Sequence, residues 1–181
     1  MQLKHHFLLA MPELTGDYFG DSLTYICEHN DEGAMGLIVN RPTTISLTEL
    51  LAHLHLPTDR TLIDKPVLQG GPVSPEQGFI ILQDDTPPEE SVELSPGIYL
   101  AAGMSALTEL TQRDEAPDYF VALGYAGWDA GQLEDEMANN AWLSVPANDD
   151  ILFRTAYEDR LGAAAALIGI DLNLMAKPGR A

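Results

Sequence analysis

Cys27 and His29 stand two residues apart in Leu23–His29, a run that reads as a β-strand, so both side chains leave the same face. An imidazole beside a thiol can lower the thiol's pKa and make it a nucleophile, the chemistry of a hydrolase or a thiol-dependent enzyme. A lone strand cysteine also has a simpler use as a small buried hydrophobe, and that reading carries more weight. Gly124-x-x-Gly127-x-x-x-Gly131 follows a strand and opens a helix, which invites a phosphate cradle. Its spacing fits neither the dinucleotide nor the P-loop fingerprint, and Asp129 would put a carboxylate where the anion belongs. Glycines for a tight, close-packed turn account for it better.

Other reactive types find no context. His5 and His6 are adjacent, and His53 and His55 are two apart on a helical run, so neither pair shares a face. Metal-ligand spacings and a Gly-x-Ser-x-Gly are both missing, so no metal or cofactor is expected and Ser74 and Ser105 have no nucleophile setting. Glu134-Asp135-Glu136 reads as a solvated face near a helix start, where acids suit the dipole. Trp128, Trp142 and Tyr125 form an aromatic group around the glycine turn, with Gln132 as a polar neighbour. It can pack a core or wall a recognition cleft.

The elements that must position these residues are legible in part. Phe7–Met11 predicts a strand, and Leu23–His29 and Gly36–Asn40 predict a hairpin across Asn30-Asp31-Glu32-Gly33. Ser46-Leu47-Thr48-Glu49 is a capping box that opens a helix through Leu56. Further strands are expected at Gly78–Gln83, Ile98–Ala101, Tyr119–Tyr125 and Trp142–Val145, with an extended piece at Ile151–Phe153. Asp84–Glu93 reads as an exposed loop or edge connection. Helices are expected at Ser105–Gln112, after an Asp129 N-cap with Gln132 reaching back, and from a Thr155 capping box to about Gly169. Leu161, Ala165 and Ile168 would share one side of the last helix. Strands and helices mix without strict alternation, so the fold class is α+β with a mixed sheet.

The totals narrow the function. With 181 residues and 45% apolar content the chain can build one domain, or two small lobes, around a sizeable core. Nine Lys and Arg face 28 Asp and Glu, for a net charge of −19, and from Pro66 to Phe153 there is a single base, Arg113, against sixteen carboxylates. Such a surface repels phosphate backbones, so direct nucleic-acid and anionic-membrane binding are disfavoured. One cysteine permits no internal disulfide, and no apolar run is long enough for a span or a secretory signal; a cytoplasmic protein is expected.

Several stretches together resemble the AlgH/YqgE family of small bacterial proteins: His6-Phe7-Leu8-Leu9-Ala10-Met11-Pro12, Tyr25–Asn30, Gly33–Pro42, Gly70-Gly71-Pro72-Val73, Gly124–Trp128, Gly131–Glu134 and Asn140–Leu143. The resemblance covers nearly the whole chain, 1–181, as one AlgH/YqgE-like domain. It implies a bent, branching sheet forming a partial barrel with helices packed around it. It also implies a family that carries the provisional label of transcriptional regulator, without a settled ligand or activity. This chain departs from the family pattern at Gly20-Asp21 before Ser22, at Gln77 and Leu82 (family Arg and His), at Gly103 and Ser105 (family Ser and Asp), and at Arg180 (family His).

The resulting expectation is a non-catalytic regulatory or binding protein. Its loop-lined cleft would recognise a protein partner or small ligand near Glu28, His29, Asn40, Arg41, Gly70, Gly71, Tyr125, Trp128 and Gln132. The alternative is a hydrolase or thiol-dependent enzyme using Cys27 and His29.

Overall fold

The structure, a computed structural model, describes residues 2–11, 17–57 and 64–172. Pro12 and the closing Gly179-Arg180-Ala181 lie outside the described residues. In chain order the elements begin with β1 (His6–Ala10), β2 (Leu23–Asn30), β3 (Gly33–Ile38), β4 (Pro42–Ser46), α1 (Leu47–His53), β5 (Pro66–Gln69) and β6 (Val73–Gln83). They continue with β7 (Val92–Ser95), β8 (Ile98–Ala102), α2 (Met104–Thr111), β9 (Asp118–Asp129), α3 (Gln132–Ala138), β10 (Trp142–Pro146), α4 (Asp149–Phe153) and α5 (Arg160–Ala166). The chain divides into two compact units, Met1–Asn40 with Gly127–Ala181, and Arg41–Ala126.

In the first unit the strand order is β10-β1-β2-β3, with antiparallel neighbours. Phe7, Leu8, Leu9, Tyr25, Ile26 and Leu37 are buried, because these strands carry apolar residues on both faces and both faces are covered. A two-residue turn, Asp31-Glu32, closes the β2–β3 hairpin with Asn30 opposite Gly33. A register shift between Ile26 and Glu28 inserts a bulge, which bends the strand next to Cys27.

The second unit has strand order β4-β5-β9-β6-β8-β7. β5 runs parallel to β9 and the other neighbours are antiparallel, so the sheet is mixed and the fold class is α+β, as expected. Leu47 and Leu51 of α1 and Leu107 and Leu110 of α2 join Val67, Ile80, Leu82 and Val121 in its core. A second register shift lies between Val73 and Gly78, where Pro75 cannot donate to the ladder.

Several boundaries differ from expectation for local reasons. Ser46 does cap α1, its Oγ accepting the Glu49 N–H at 3.1 Å, but the helix ends at His53. Ile151–Phe153 is helical, not extended, because Asn148 supplies the N-cap by accepting the Ile151 N–H at 3.1 Å. Thr155 caps nothing; its hydroxyl donates back to Asp150 O, and a 3-10 turn at Tyr157–Asp159 precedes α5. The buried side of α5 holds Arg160, Ala164 and Ala165, while Ile168 is exposed. β4, β5 and β7 were not anticipated. Among the described residues no helix is long and apolar enough to cross a membrane.

Candidate functional site

The junction from β9 to α3 folds around a carboxylate. β9 continues through Gly124 and Gly127 to Asp129, and the helix cap is Gly131, at φ 78°, rather than Asp129. That left-handed geometry favours glycine. The reach of Gln132 is as anticipated: its Oε1 accepts the Asp129 N–H at 3.0 Å. Its amide nitrogen then donates to Glu136 Oε2 at 3.0 Å. Glu136 Oε1 accepts both indole N–H groups, from Trp128 at 3.0 Å and from Trp142 at 2.9 Å. The two indoles meet edge to face at 6.0 Å, and Phe19 stacks on Trp128 and meets Trp142 edge-on. Three donors on one carboxylate make the aromatic group a packed, hydrogen-bonded scaffold.

His29 is committed as fully. Its Nδ1 accepts the Leu3 N–H at 3.0 Å, which leaves the proton on Nε2, and Nε2 donates to Glu134 Oε1 at 2.8 Å. That bond holds the Glu134 carboxyl below the usual carboxylate range. Glu134 and Glu136 are therefore working acceptors, which corrects the solvated-face reading; the signal available in the sequence was an acid on α3 within reach of a tryptophan and a histidine. Asn40 is similarly occupied, its Oδ1 accepting the Leu23 N–H and its amide donating to Asp21 O.

Cys27 is buried, and burial followed by the Glu28 carboxylate pushes its thiol well above the usual thiol range. Its Sγ lies 3.8 Å from Tyr25 O. Both imidazole nitrogens of His29 are engaged elsewhere, so His29 is not oriented on the thiol as a base. Burial also raises the Tyr25 phenol, whose oxygen lies 2.8 Å from His5 Nδ1. Both acids prefer their neutral forms in the fold. Their stabilisation is therefore complete below the unfolded-state pKa values, about 8.5 for Cys and 10 for Tyr, and is lost as pH rises beyond them. Iodoacetamide at pH 8 should leave native Cys27 unmodified over an hour and label it within minutes in guanidinium, and denaturant midpoints should begin to fall above about pH 9. Prompt labelling of the native protein would refute this placement.

Glu28 is exposed and, with Asn30, Glu32, Gly33, Met35 and Trp128, lines a shallow recess of about 210 Å³. Of the expected residues in the first unit, this recess brings Glu28 and Trp128 together, while Gln132 joins Trp128 through Glu136 and His29 sits with Glu134.

In the second unit, Gly70 donates its N–H to Leu123 O at 2.8 Å, and Arg41 O accepts the Gln69 N–H at 2.8 Å. Gly71 lies against the Tyr125 backbone so closely that an added Cβ would sit 2.1 Å from the Tyr125 carbonyl carbon. Tyr125 meets Phe79 edge-on at 5.8 Å. These four residues shape a strand crossing. A separate hollow of about 260 Å³ opens where Leu50, Leu54, Met104 and Leu107 stand over a floor that includes Gly78, Ile80 and Leu123, with Glu76 and Gln77 exposed at its edge. Sequence reasoning missed this hollow; the only trace is that Leu50 and Leu54, and Leu107 on the second helix, fall at helical spacing. Among the described residues no three His, Cys, Asp or Glu side chains are grouped to hold a metal ion.

Mixed strands, two bulges, and a tryptophan-bearing glycine turn folded over a helical carboxylate define a class of small α+β scaffold. The chain belongs to the AlgH-like family, whose signature matches residues 7–173. It is 43% identical over 171 residues to a UPF0301 protein of Thioalkalivibrio sulfidiphilus, covering 94% of this chain and 92% of that one. It is 44% identical to a UPF0301 protein of Cronobacter sakazakii, covering 100% and 98%. The solution structure of the AlgH protein from Pseudomonas aeruginosa superposes with a TM-score of 0.79 at 38% identity, covering 100% of this chain and 97% of that one. A protein of Corynebacterium diphtheriae shares the fold at 16% identity, with a TM-score of 0.71 over 90% and 85% of the two chains.

Proposed function

We propose that this chain is a non-catalytic binding protein of the cytoplasm that recognises a protein partner or a small ligand. The observation that carries this reading is the apolar hollow of the second unit, a concave surface with a few polar groups at its edge, which is the usual makeup of a recognition site. The recess beside Glu28 and Trp128 is a second, shallower surface. The thiol, imidazole and carboxylates best suited to chemistry are held in scaffold bonds, which favours recognition over the enzyme alternative. A regulatory role would run through another protein, since a net charge of −19 opposes direct contact with a phosphate backbone.

The test pairs two measurements. A thermal-shift screen of metabolites and peptides should find a ligand that raises the melting temperature, because binding at a hundred times Kd adds about 2.7 kcal/mol to native stability. A hydrolase and thiol-transfer substrate panel should show no turnover that Cys27→Ala removes. Turnover lost in Cys27→Ala would overturn the reading.

A further inference from the structure

Leu3 is held in place by an imidazole. Continued in register, the β1–β2 ladder would set Leu3 opposite His29, but the ladder stops at Phe7. The bulge after Ile26 and a left-handed φ of 58° at His5 lift the chain away from the strand. His5 itself stays anchored, its N–H donating to Ile26 O at 2.9 Å and its carbonyl accepting the Ala147 N–H at 3.1 Å. Beyond that anchor the Leu3 N–H goes to His29 Nδ1 at 3.0 Å, where a ladder would have supplied a backbone carbonyl. The Lys4 N–H to Gln2 Oε1 and His6 Nδ1 to Lys4 O contacts each span only two residues.

His29 serves two partners that make opposite demands on it. Toward Leu3, Nδ1 accepts and must carry no proton. Toward Glu134 Oε1, 2.8 Å from Nε2, the ring donates, and an imidazolium would be bound there more strongly. A second proton on Nδ1 would therefore set N–H against N–H at Leu3 while turning the Glu134 contact into an ion pair. His29 and Leu3 are both buried, so the displaced amide regains a partner only by carrying its segment into water. The charged groups around the ring are Glu134 from α3, Lys4 beside Leu3, and Glu28 on β2 itself; β3 sets Ala34 opposite it. The His29 bond holds the Glu134 carboxyl below the usual range, so Glu134 stays ionised between pH 5 and 8. The partner able to change its charge in that window is the histidine.

We propose that His29 is a proton-operated latch: neutral, it holds residues 2–4 against the first unit, and protonated, it releases them and closes on Glu134. The Leu3 bond needs the neutral ring, so the latch is shut at higher pH and opens as pH falls through the titration of His29. This regulation goes beyond recognition and depends on neither concave surface.

Backbone 15N relaxation at pH 7.5 and pH 5, with imidazole 15N shifts reporting the protonation of the ring, tests the latch. The Leu3 and Lys4 amides should have order parameters of about 0.85 at pH 7.5 and below about 0.6 at pH 5, while β1 and β2 stay rigid. His29 should carry its proton on Nε2 at the higher pH and on both nitrogens at the lower. Glu134→Gln removes the charge that favours the imidazolium and should move the release midpoint about one unit to lower pH. His29→Gln keeps an acceptor and a donor but does not titrate, so Leu3 should be equally ordered at both pH values. His5 and His6 are the other histidines of this unit, and release that persists in His29→Gln would put the sensor elsewhere and overturn the latch. A doubly protonated His29 beside a rigid Leu3 would overturn it too. So would a His29 still neutral at pH 5, or a loss of order throughout the first unit.

Discussion

Glu136→Ala should destabilise the protein by about 3–5 kcal/mol, because one side chain accepts from Trp128, Trp142 and Gln132 at once and hydrogen bonds to charged groups contribute about 1.5–3 kcal/mol each. Trp128 and Trp142 are buried, so their indole N–H groups would be stranded away from water rather than re-solvated. The melting temperature should drop by roughly 6–20 °C. Glu136→Gln is the discriminating partner. An amide oxygen can still accept from the indoles, but the amide nitrogen meets the Gln132 donor, so a cost of about 1–2 kcal/mol is expected. The readout is intrinsic: Trp128 and Trp142 are the chain's two tryptophans, and urea unfolding followed by emission reports this cluster directly. A Glu136→Ala midpoint within about 0.5 kcal/mol of the parent would show that the carboxylate is decoration.

The same junction shows what a sequence can and cannot disclose. The Gln132 back-bond was readable, since a side chain three residues past a turn has only a few local donors within reach. The cap itself was misplaced because Asp129 has the right chemistry, while the backbone turns left-handed at Gly131. Local rules therefore found the bond and missed the residue that permits it. Ile151–Phe153 failed differently: three apolar residues fit a strand or a helix equally, and the deciding signal was Asn148 followed by two acids. In the second unit, β4 was hidden behind Arg41-Pro42. Pro42 sits in the strand's first position, where its missing N–H is tolerated.

Site residues were harder to read, for a physical reason. Glu134 and Glu136 look like solvated acids until β2, β9 and β10 bring His29, Trp128 and Trp142 to them, and such long-range pairings leave no local trace. Aromatic and glycine density around Tyr125–Gln132 was a true signal of an assembled structure. It left a packed core and a recognition cleft both open, because packing and recognition draw on the same residue types. The hollow of the second unit left an even weaker trace, since apolar residues on α1 and α2 suit a closed core equally well.

Arg160→Ala should cost about 2–4 kcal/mol, because it removes two hydrogen bonds from a charged donor, leaves the buried Val39 carbonyl and the half-buried Thr155 carbonyl unpaired and deletes the packed stem. Arg160 is 4% exposed, and burial lowers its pKa from the ordinary value. Its Nε donates to Thr155 O and its Nη1 to Val39 O, both at 2.8 Å, while the guanidinium lies 4.6 Å from the Tyr157 ring centroid. Among the described residues no carboxylate partners it. The fold thus desolvates a charge in order to tie the start of α5 to a carbonyl 121 residues away, just past β3. Arg160→Lys keeps the charge but loses the planar fork, so it can serve only one carbonyl and should cost about 2 kcal/mol. Arg160→Met keeps most of the stem packing and removes the desolvated charge, so it should fall between the parent and Arg160→Ala. Denaturant unfolding of the three variants separates these contributions. If Arg160→Met matches the parent, the guanidinium's hydrogen bonds contribute nothing net, and only its hydrocarbon stem holds the helix to the strand.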